Sequence, residues 1–289
     1  MVRNSPLIQI RPIYKLVELK AVEELQREIW GCSDLEVLPS LALIPLLDIG
    51  GVLIGAYDGE TLIGFVLGFP GFEAGKPILH SDMLAVKPAY RSEGLGCKLK
   101  LAQREVALAK GIEKITWTFD PLQSANAHLN FGKLGVIADR YKVNYYGETS
   151  SSLHRAGTDR LWVSWLLKSE RVRNRINGES LPSFVSAAHW NLLKVGEGLE
   201  PVSRSLDERN SSLTIEIPSD INGIMKADIK LAMRWREATR AAFTLALAAN
   251  YFVEDFSRTA REGDRVGVYM LMRNDECEID RHSLAFINH

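Results

Sequence analysis

Two short stretches of the chain hold residue types that can do chemistry. The first is R-S-E-G-L-G, residues 91–96. Glycine at a helix start lets the backbone approach a ligand with no Cβ in the way. The first helical turn leaves N–H groups without intrahelical partners, and these carry partial positive charge. Together they make an anion site suited to phosphate, and Arg91 adds a full charge on a planar donor fork. Taken alone, a G-x-G is as well explained by a turn whose glycines permit tight packing. The second stretch is H-S-D-M-L-A-V, residues 80–86. With strand period two, His80 and Asp82 share a face. An imidazole with an unperturbed pKa of ~6.5 can take a proton near neutrality. Asp82 would be a weaker base unless burial raised its pKa. The plainer reading is a solvent-facing polar pair, or a hydrogen-bonded structural histidine.

Other nucleotide and metal signatures fail. A dinucleotide fingerprint needs a third glycine where Leu99 stands, and G-F-E-A-G-K-P at 71–77 is one residue short of a phosphate loop and ends in proline. The six histidines form no H-E-x-x-H, and Cys32, Cys97 and Cys277 lie far apart with no C-x-x-C. Neither a metal site nor a disulfide frame is expected. Cys97 follows the glycines directly, and a small residue packed at a helix start explains it better than an acyl-cysteine does.

The elements that must position these groups can be read from periodicity. Residues 7–13 alternate as a strand, and L-V-E-L-K-A-V-E-E-L-Q-R-E-I-W repeats at helical spacing and stops at Gly31. P-S-L-A-L-I-P-L-L-D is a short apolar helix or loop, and Asp58-Gly59 joins two strand-like runs into a hairpin. A strand over 78–86 then hands over to a helix over about 94–110. Leu95, Leu99, Ala102, Val106 and Ala109 are expected to form its buried stripe. K-I-T-W-T-F is a further strand, S-A-N-A-H-L-N-F-G-K-L-G a short helix, and Y-K-V-N-Y-Y-G and R-L-W-V-S-W-L-L two more strands. The pattern weakens over 168–212: S-E-R-V-R-N-R-I-N-G-E-S is charged and polar, and K-V-G-E-G-L-E-P-V-S-R-S-L-D-E-R-N-S-S resembles a loop. L-T-I-E-I-P is then a strand, followed by one long helix over about 225–250 and two strands paired near Gly263. This order predicts an α/β protein of α+β type: a mixed, mostly antiparallel central sheet flanked by helices, with a smaller C-terminal α+β extension. The expected division is 1–170 and 171–289.

At 289 residues, 46% hydrophobic, 25% charged and with net charge −1, the chain shows no global attraction to nucleic acid or to anionic membrane. Any anion site must be local. The N-terminus has no signal-peptide core and no stretch is long enough to cross a membrane, so a cytoplasmic protein is expected.

The segment V-K-P-A-Y-R-S-E-G-L-G resembles motif A of the GNAT superfamily of acyl-CoA-dependent N-acyltransferases, V-x-P-x-x-R-x-x-G-x-G. D-P-L-Q-S-A-N-A-H-L-N-F-G-K-L-G-V is similar to that family's next segment, and the likeness spans about residues 7–168. It implies acyl-CoA as cosubstrate, with no metal. The backbone of Arg91, Ser92, Glu93, Gly94, Leu95 and Gly96 would hold the pyrophosphate. The main chain of Leu84, Ala85 and Val86 would bind pantetheine and polarise the thioester, with Asn126 reaching the pantetheine arm. His80 and Asp82 would take the proton of an attacking small-molecule amine. Many members carry a tyrosine where this chain has Phe131 in the coenzyme-binding segment, so the usual acid is missing; Tyr141, Tyr145, Tyr146 and Ser124 are the substitutes at hand. Weak acid–base equipment leans toward an α-amine, pKa ~7.7–8, over a lysine amine at ~10.4. The resemblance thus implies transfer of an acetyl or succinyl group to a primary amine, and the α-amine of an amino acid is one acceptor. A non-catalytic coenzyme A-binding or sensory module is the alternative. The C-terminal extension would shape the acceptor pocket or make a homodimer contact. Arg236 and Arg240, four apart on one helix face, could hold a substrate carboxylate, though a salt-bridged face is the more ordinary reading.

Overall fold

The computed structural model describes residues 8–91, 93–147, 157–179, 190–261 and 264–274. Ser92, Cys277 and the turn at Gly263 lie outside them. The described chain has a mixed α+β fold with a mostly antiparallel sheet and seven α-helices. It divides into two compact units, the first ending at Trp117 and the second beginning at Thr118.

In the first unit the strand order is β1 (Gln9–Pro12), β2 (Val52–Asp58), β3 (Thr61–Glu73), β4 (Lys76–Val86), β5 (Lys114–Phe119), and β5 carries the chain onward. The first four run antiparallel to their neighbours and β4 runs parallel to β5. Gly59 takes a left-handed φ of 59° in the β2–β3 turn, as Asp-Gly hairpins require. α1 (Leu16–Trp30) begins at Lys15, whose N–H donates to the Glu18 carboxylate, and ends at Gly31 with φ 65°. Its Leu19, Val22 and Leu25 pack with Leu43 of α2 (Ser40–Asp48) on Ile13, Leu53, Tyr57, Phe65, Leu67 and Ala85. At about 1.5–3 kcal/mol for each fully buried large apolar side chain, this layer is a main source of stability.

α3 (Leu95–Ala109) packs against the same strands and buries Leu95, Leu99, Lys100, Gln103 and Ala107. This departs from the expected stripe of Ala102, Val106 and Ala109: Ala102 and Val106 are partly buried and Ala109 is exposed. Spacing by fours from Leu95 brings Gln103 onto the buried face and Lys100 lies beside it, two polar residues that hydropathy alone places outside.

The second unit orders its strands β7 (Arg160–Leu166), β6 (Ile137–Lys142), β11 (Tyr251–Arg261), β12 (Asp264–Arg273), β10 (Ser212–Pro218), β8 (Trp190–Val195), β9 (Pro201–Ser203). Among the pairs described there, β8 and β10 are parallel and the others antiparallel. α4 (Ser124–Ala127) runs into a π-helical turn, His128–Leu134. α5 (Glu170–Ile176) and β8 form where the pattern weakens, and β9 lies within the segment read as loop. Val143–Tyr146 form a turn, so the strand expected over 141–147 ends at Lys142. The long helix expected over 225–250 is two helices. α6 (Ile221–Ala227) and α7 (Ile229–Ala248) are separated by Asp228, which is extended (φ −146°, ψ 95°) and accepts from the N–H groups of Lys230 and Leu231. Aspartate favours this cap over a helix interior, because its carboxylate competes for backbone donors.

Candidate functional site

The site is built where β4 leaves the sheet ladder. β4 pairs with β5 at Leu79–Ile115 and His80–Thr116, and among the described residues the pairing goes no further. On its other edge β4 stays zipped to β3 as far as Val86–Gly64. The β5-side main chain of residues 81–86 is therefore left without a ladder partner. A bulge marks the departure: Leu67 pairs with Met83 but Gly68 pairs with Ser81, so Asp82 is the extra residue. Bulges bend a strand and re-aim its side chains. Strict alternation, on which the shared face of His80 and Asp82 was expected, is interrupted at Asp82 itself.

His80 is half-buried, with Nδ1 2.9 Å from Thr116 Oγ1. Asp82 keeps an exposed side chain, yet the protein packed around it withdraws enough water to push its carboxyl above the ordinary value. Leu84 and Val86 are half-buried and Ala85 is buried against the α1 layer.

Beyond Val86 the chain bends through a 3₁₀ turn, Pro88–Tyr90, which is tied down from three sides. Lys87 Nζ meets the Glu28 carboxylate at 2.8 Å, Tyr90 donates to Asp58 at 2.6 Å, and Arg91 Nε donates to the Val86 carbonyl at 3.0 Å. Among the described residues Arg91 has no carboxylate partner. Gly94 is the N-cap of α3 with φ 74°, a left-handed conformation natural to glycine. Glu93 and Gly94 are exposed, Leu95 is buried and Gly96 is half-buried. Gly96 and its neighbours in the first turn are the residues whose amides have no intrahelical acceptor. So His80, Asp82, Leu84, Ala85, Val86, Arg91, Glu93, Gly94, Leu95 and Gly96 fall on one strand, one bend and one helix start. Ser92 is outside the described residues.

Beneath the point where the ladder stops lies a group that sequence reasoning missed. Lys100 is 2% exposed, its Nζ donates to Ser81 Oγ at 2.7 Å and sits 3.7 Å from the centre of the Trp117 ring. Burial pushes its amine well below the ordinary lysine value. No short-range signal marks it, since a lysine on an amphipathic helix reads as solvent-facing.

Asn126 and Phe131 belong to the second unit. Asn126 is exposed on α4. Phe131 has no exposed surface and packs edge-on against Phe119 and Tyr269, so what it contributes here is core packing. Tyr141 donates to Asp159 at 2.9 Å, and burial first, then that carboxylate, raises its phenol far above the ordinary value. Arg236 and Arg240 are both engaged. Arg236 makes a two-pronged pair with Asp120 at 2.8 and 2.9 Å, and Arg240 one with Asp159 at 2.8 and 2.9 Å. Burial alone would raise the Asp159 carboxyl, but Arg240, the Asn144 N–H and Tyr141 hold it below the usual range. The salt-bridged reading of the two arginines therefore holds.

Residues 19–135 match the family described as "Acetyltransferase (GNAT) family". That stretch of the chain is similar to GNAT acetyltransferases. The ribosomal-protein-S18-alanine N-acetyltransferase from Escherichia coli is similar at 13% identity and a TM-score of 0.46, over 56% of this chain and 96% of that one. A GNAT family acetyltransferase from Elizabethkingia anophelis with acetyl-CoA bound is similar at 17% identity and a TM-score of 0.42, over 57% and 99%. PaiA N-acetyltransferase from Thermoplasma acidophilum in complex with coenzyme A is similar at 19% identity and a TM-score of 0.40, over 55% and 98%. A search of curated protein sequences returns no match. Among the described residues no helix is long and apolar enough to cross a membrane.

Proposed function

We propose that the protein is an acyl-CoA-dependent N-acyltransferase acting by direct attack. Coenzyme A would lie with its pyrophosphate on the backbone of residues 91–96 and its pantetheine along the open edge of residues 84–86. The observation that carries this reading is the two-rung pairing of β4 with β5, which leaves the β4 main chain beyond His80 without a ladder partner on that side, just before the glycine-capped start of α3. Pantetheine, itself a chain of amides, can complete such an edge as an added strand does.

In the proposed reaction the acceptor amine loses a proton to His80, with Asp82 assisting. Its lone pair forms the new C–N bond at the thioester carbonyl, and a β4 main-chain N–H meets the developing oxyanion. The C–S bond then breaks and coenzyme A leaves as thiolate. With Phe131 in the core and Tyr141 committed to Asp159, neither stands ready as an acid. A thiol pKa near ~8.5 makes that loss tolerable, since thiolate leaves without full protonation. The acyl group is acetyl or succinyl and the acceptor a small primary amine, with an amino acid α-amine the best match to this weak acid–base equipment. Residues 1–170 would form the acyl-CoA-binding part and 171–289 the acceptor-shaping extension.

Thiol release from acetyl-CoA and succinyl-CoA, measured against a panel of amino acids and simple amines, tests this. Amine-dependent release that falls in H80A supports it. Tight coenzyme A binding with no release for any amine would point to a binding module instead.

A further inference from the structure

The second unit holds a cleft with its own chemistry. It is an open depression of about 470 Å³ lined by Ser124, Ser219, Arg258, Thr259, Ala260, Arg265 and Val266. That volume lies within the ~300–1,000 Å³ of small-molecule sites. Arg258 pairs with Gly267 and Ala260 with Arg265 across the β11–β12 ladder. Side chains alternate along each strand, so the two guanidiniums share a face, each opposite a residue with little or no side chain. Both are exposed, and among the described residues neither has a carboxylate partner. Two like charges side by side repel. An anion between them would meet both charges at once.

An independent sign comes from Ser124. It is 2% exposed, it lines the cleft, and its Oγ has no hydrogen-bond partner among the described residues. A buried hydroxyl without a partner is costly, so its retention points to a partner that arrives from outside. Ser219 lines the same cleft, and Ala260, on the same face of the ladder as the two arginines, offers apolar surface.

We propose that this cleft binds a small organic carboxylate, with Arg258 and Arg265 gripping the anion, Ser124 donating to it, and Ala260 receiving the carbon skeleton. A planar guanidinium fork matches a carboxylate in two-pronged fashion. The apolar lining favours an organic acid over inorganic phosphate, which has no carbon to bury. The inference stands on the cleft alone and not on acyl transfer.

The test is calorimetric titration of the full chain, without any thioester, using acetate, succinate and L-glutamate, with inorganic phosphate as comparator at matched ionic strength. Saturable binding of at least one carboxylate is expected, tighter than phosphate. It should weaken on the order of tenfold in R258A and again in R265A, since each removes a charge-assisted hydrogen bond. R258K should fall between, because it keeps charge but loses the fork. S124A should weaken binding severalfold, and coenzyme A binding by the arginine variants should be unchanged. No saturable binding of any of the three acids, equal binding in the double arginine variant, or phosphate binding as tightly as the best acid would each overturn the proposal. None of these outcomes bears on thiol release from acyl-CoA, so the two readings fail separately.

Discussion

Lys100 donates to Ser81 across 2.7 Å in the interior of the first unit, with no carboxylate at hand among the described residues to balance its charge. Ser81 and Trp117, the two residues that touch the amine, are the next rung that the β4–β5 ladder does not form. The indole face offers some compensation, worth up to about 2 kcal/mol to a desolvated cation. Burial nonetheless dominates and favours the neutral amine.

Stability should therefore rise with pH in the alkaline range. Unfolded lysine holds its proton until ~10.4. The folded state releases it earlier, so between the two values the unfolded chain binds more protons and each pH step favours folding. Below the lowered folded value that slope vanishes. Urea titrations from pH 7 to 10 should show the rise, and K100M should flatten it while raising stability at neutral pH. A wild-type profile that falls over this interval would count against a buried neutral lysine.

Gly94→Ala separates strain from ligand access. With φ at 74° a Cβ has no clash, since nothing lies within 4 Å of it, but it does carry a conformational penalty. A loss of roughly 1–2 kcal/mol is expected in denaturant titrations. If the backbone here meets pyrophosphate, coenzyme A affinity should fall further than this loss of folding stability explains. Isothermal titration at a temperature where the variant is folded reads that difference.

Rate profiles distinguish the two candidate bases. Removing a positioned proton acceptor costs about 10²–10⁴-fold, so kcat/KM for an amine should drop within that range in H80A. Because the Asp82 carboxyl is raised by its surroundings, any acidic limb it controls should sit above the ordinary carboxylate range and move in D82N. An unchanged limb in D82N assigns Asp82 to structure.

The Arg236–Asp120 pair should behave as a buried ion pair whose halves need each other. R236A leaves the Asp120 carboxylate without its main partner and should cost about 3–5 kcal/mol. The double variant R236M/D120L should recover most of that loss, measured by thermal unfolding as a double-mutant cycle.

Much of the first unit was legible in the chain itself. Asp58-Gly59 announced its hairpin, Gly31 its helix end, and V-K-P-A-Y-R-S-E-G-L-G its strand, bend and helix. These signals are local, because each depends on what one or two residues allow the backbone to do. What escaped notice depends on distant partners. Lys100 and Gln103 are buried because Ser81, Trp117 and Gly68 accommodate them, and helical periodicity turned the stripe the wrong way. The bulge at Asp82 is a register slip against β3 and has no signature within β4. Arg236 and Arg240 carry no hint of Asp120 and Asp159, which lie 116 and 81 residues away in sequence. The break at Asp228 was readable as an aspartate cap, but the alanine-rich run around it suggested continuity.

A sheet that parts after two rungs carries a seam in its middle and not just at its rim. Unprotected amide hydrogens there should trade with deuterium quickly, although the neighbouring rungs to β3 hold them in a rigid strand. Such a seam is also a foothold for any stray extended peptide, and for a second copy of the chain during expression. Recombinant protein should therefore keep better in solution with a small molecule occupying the gap than without one.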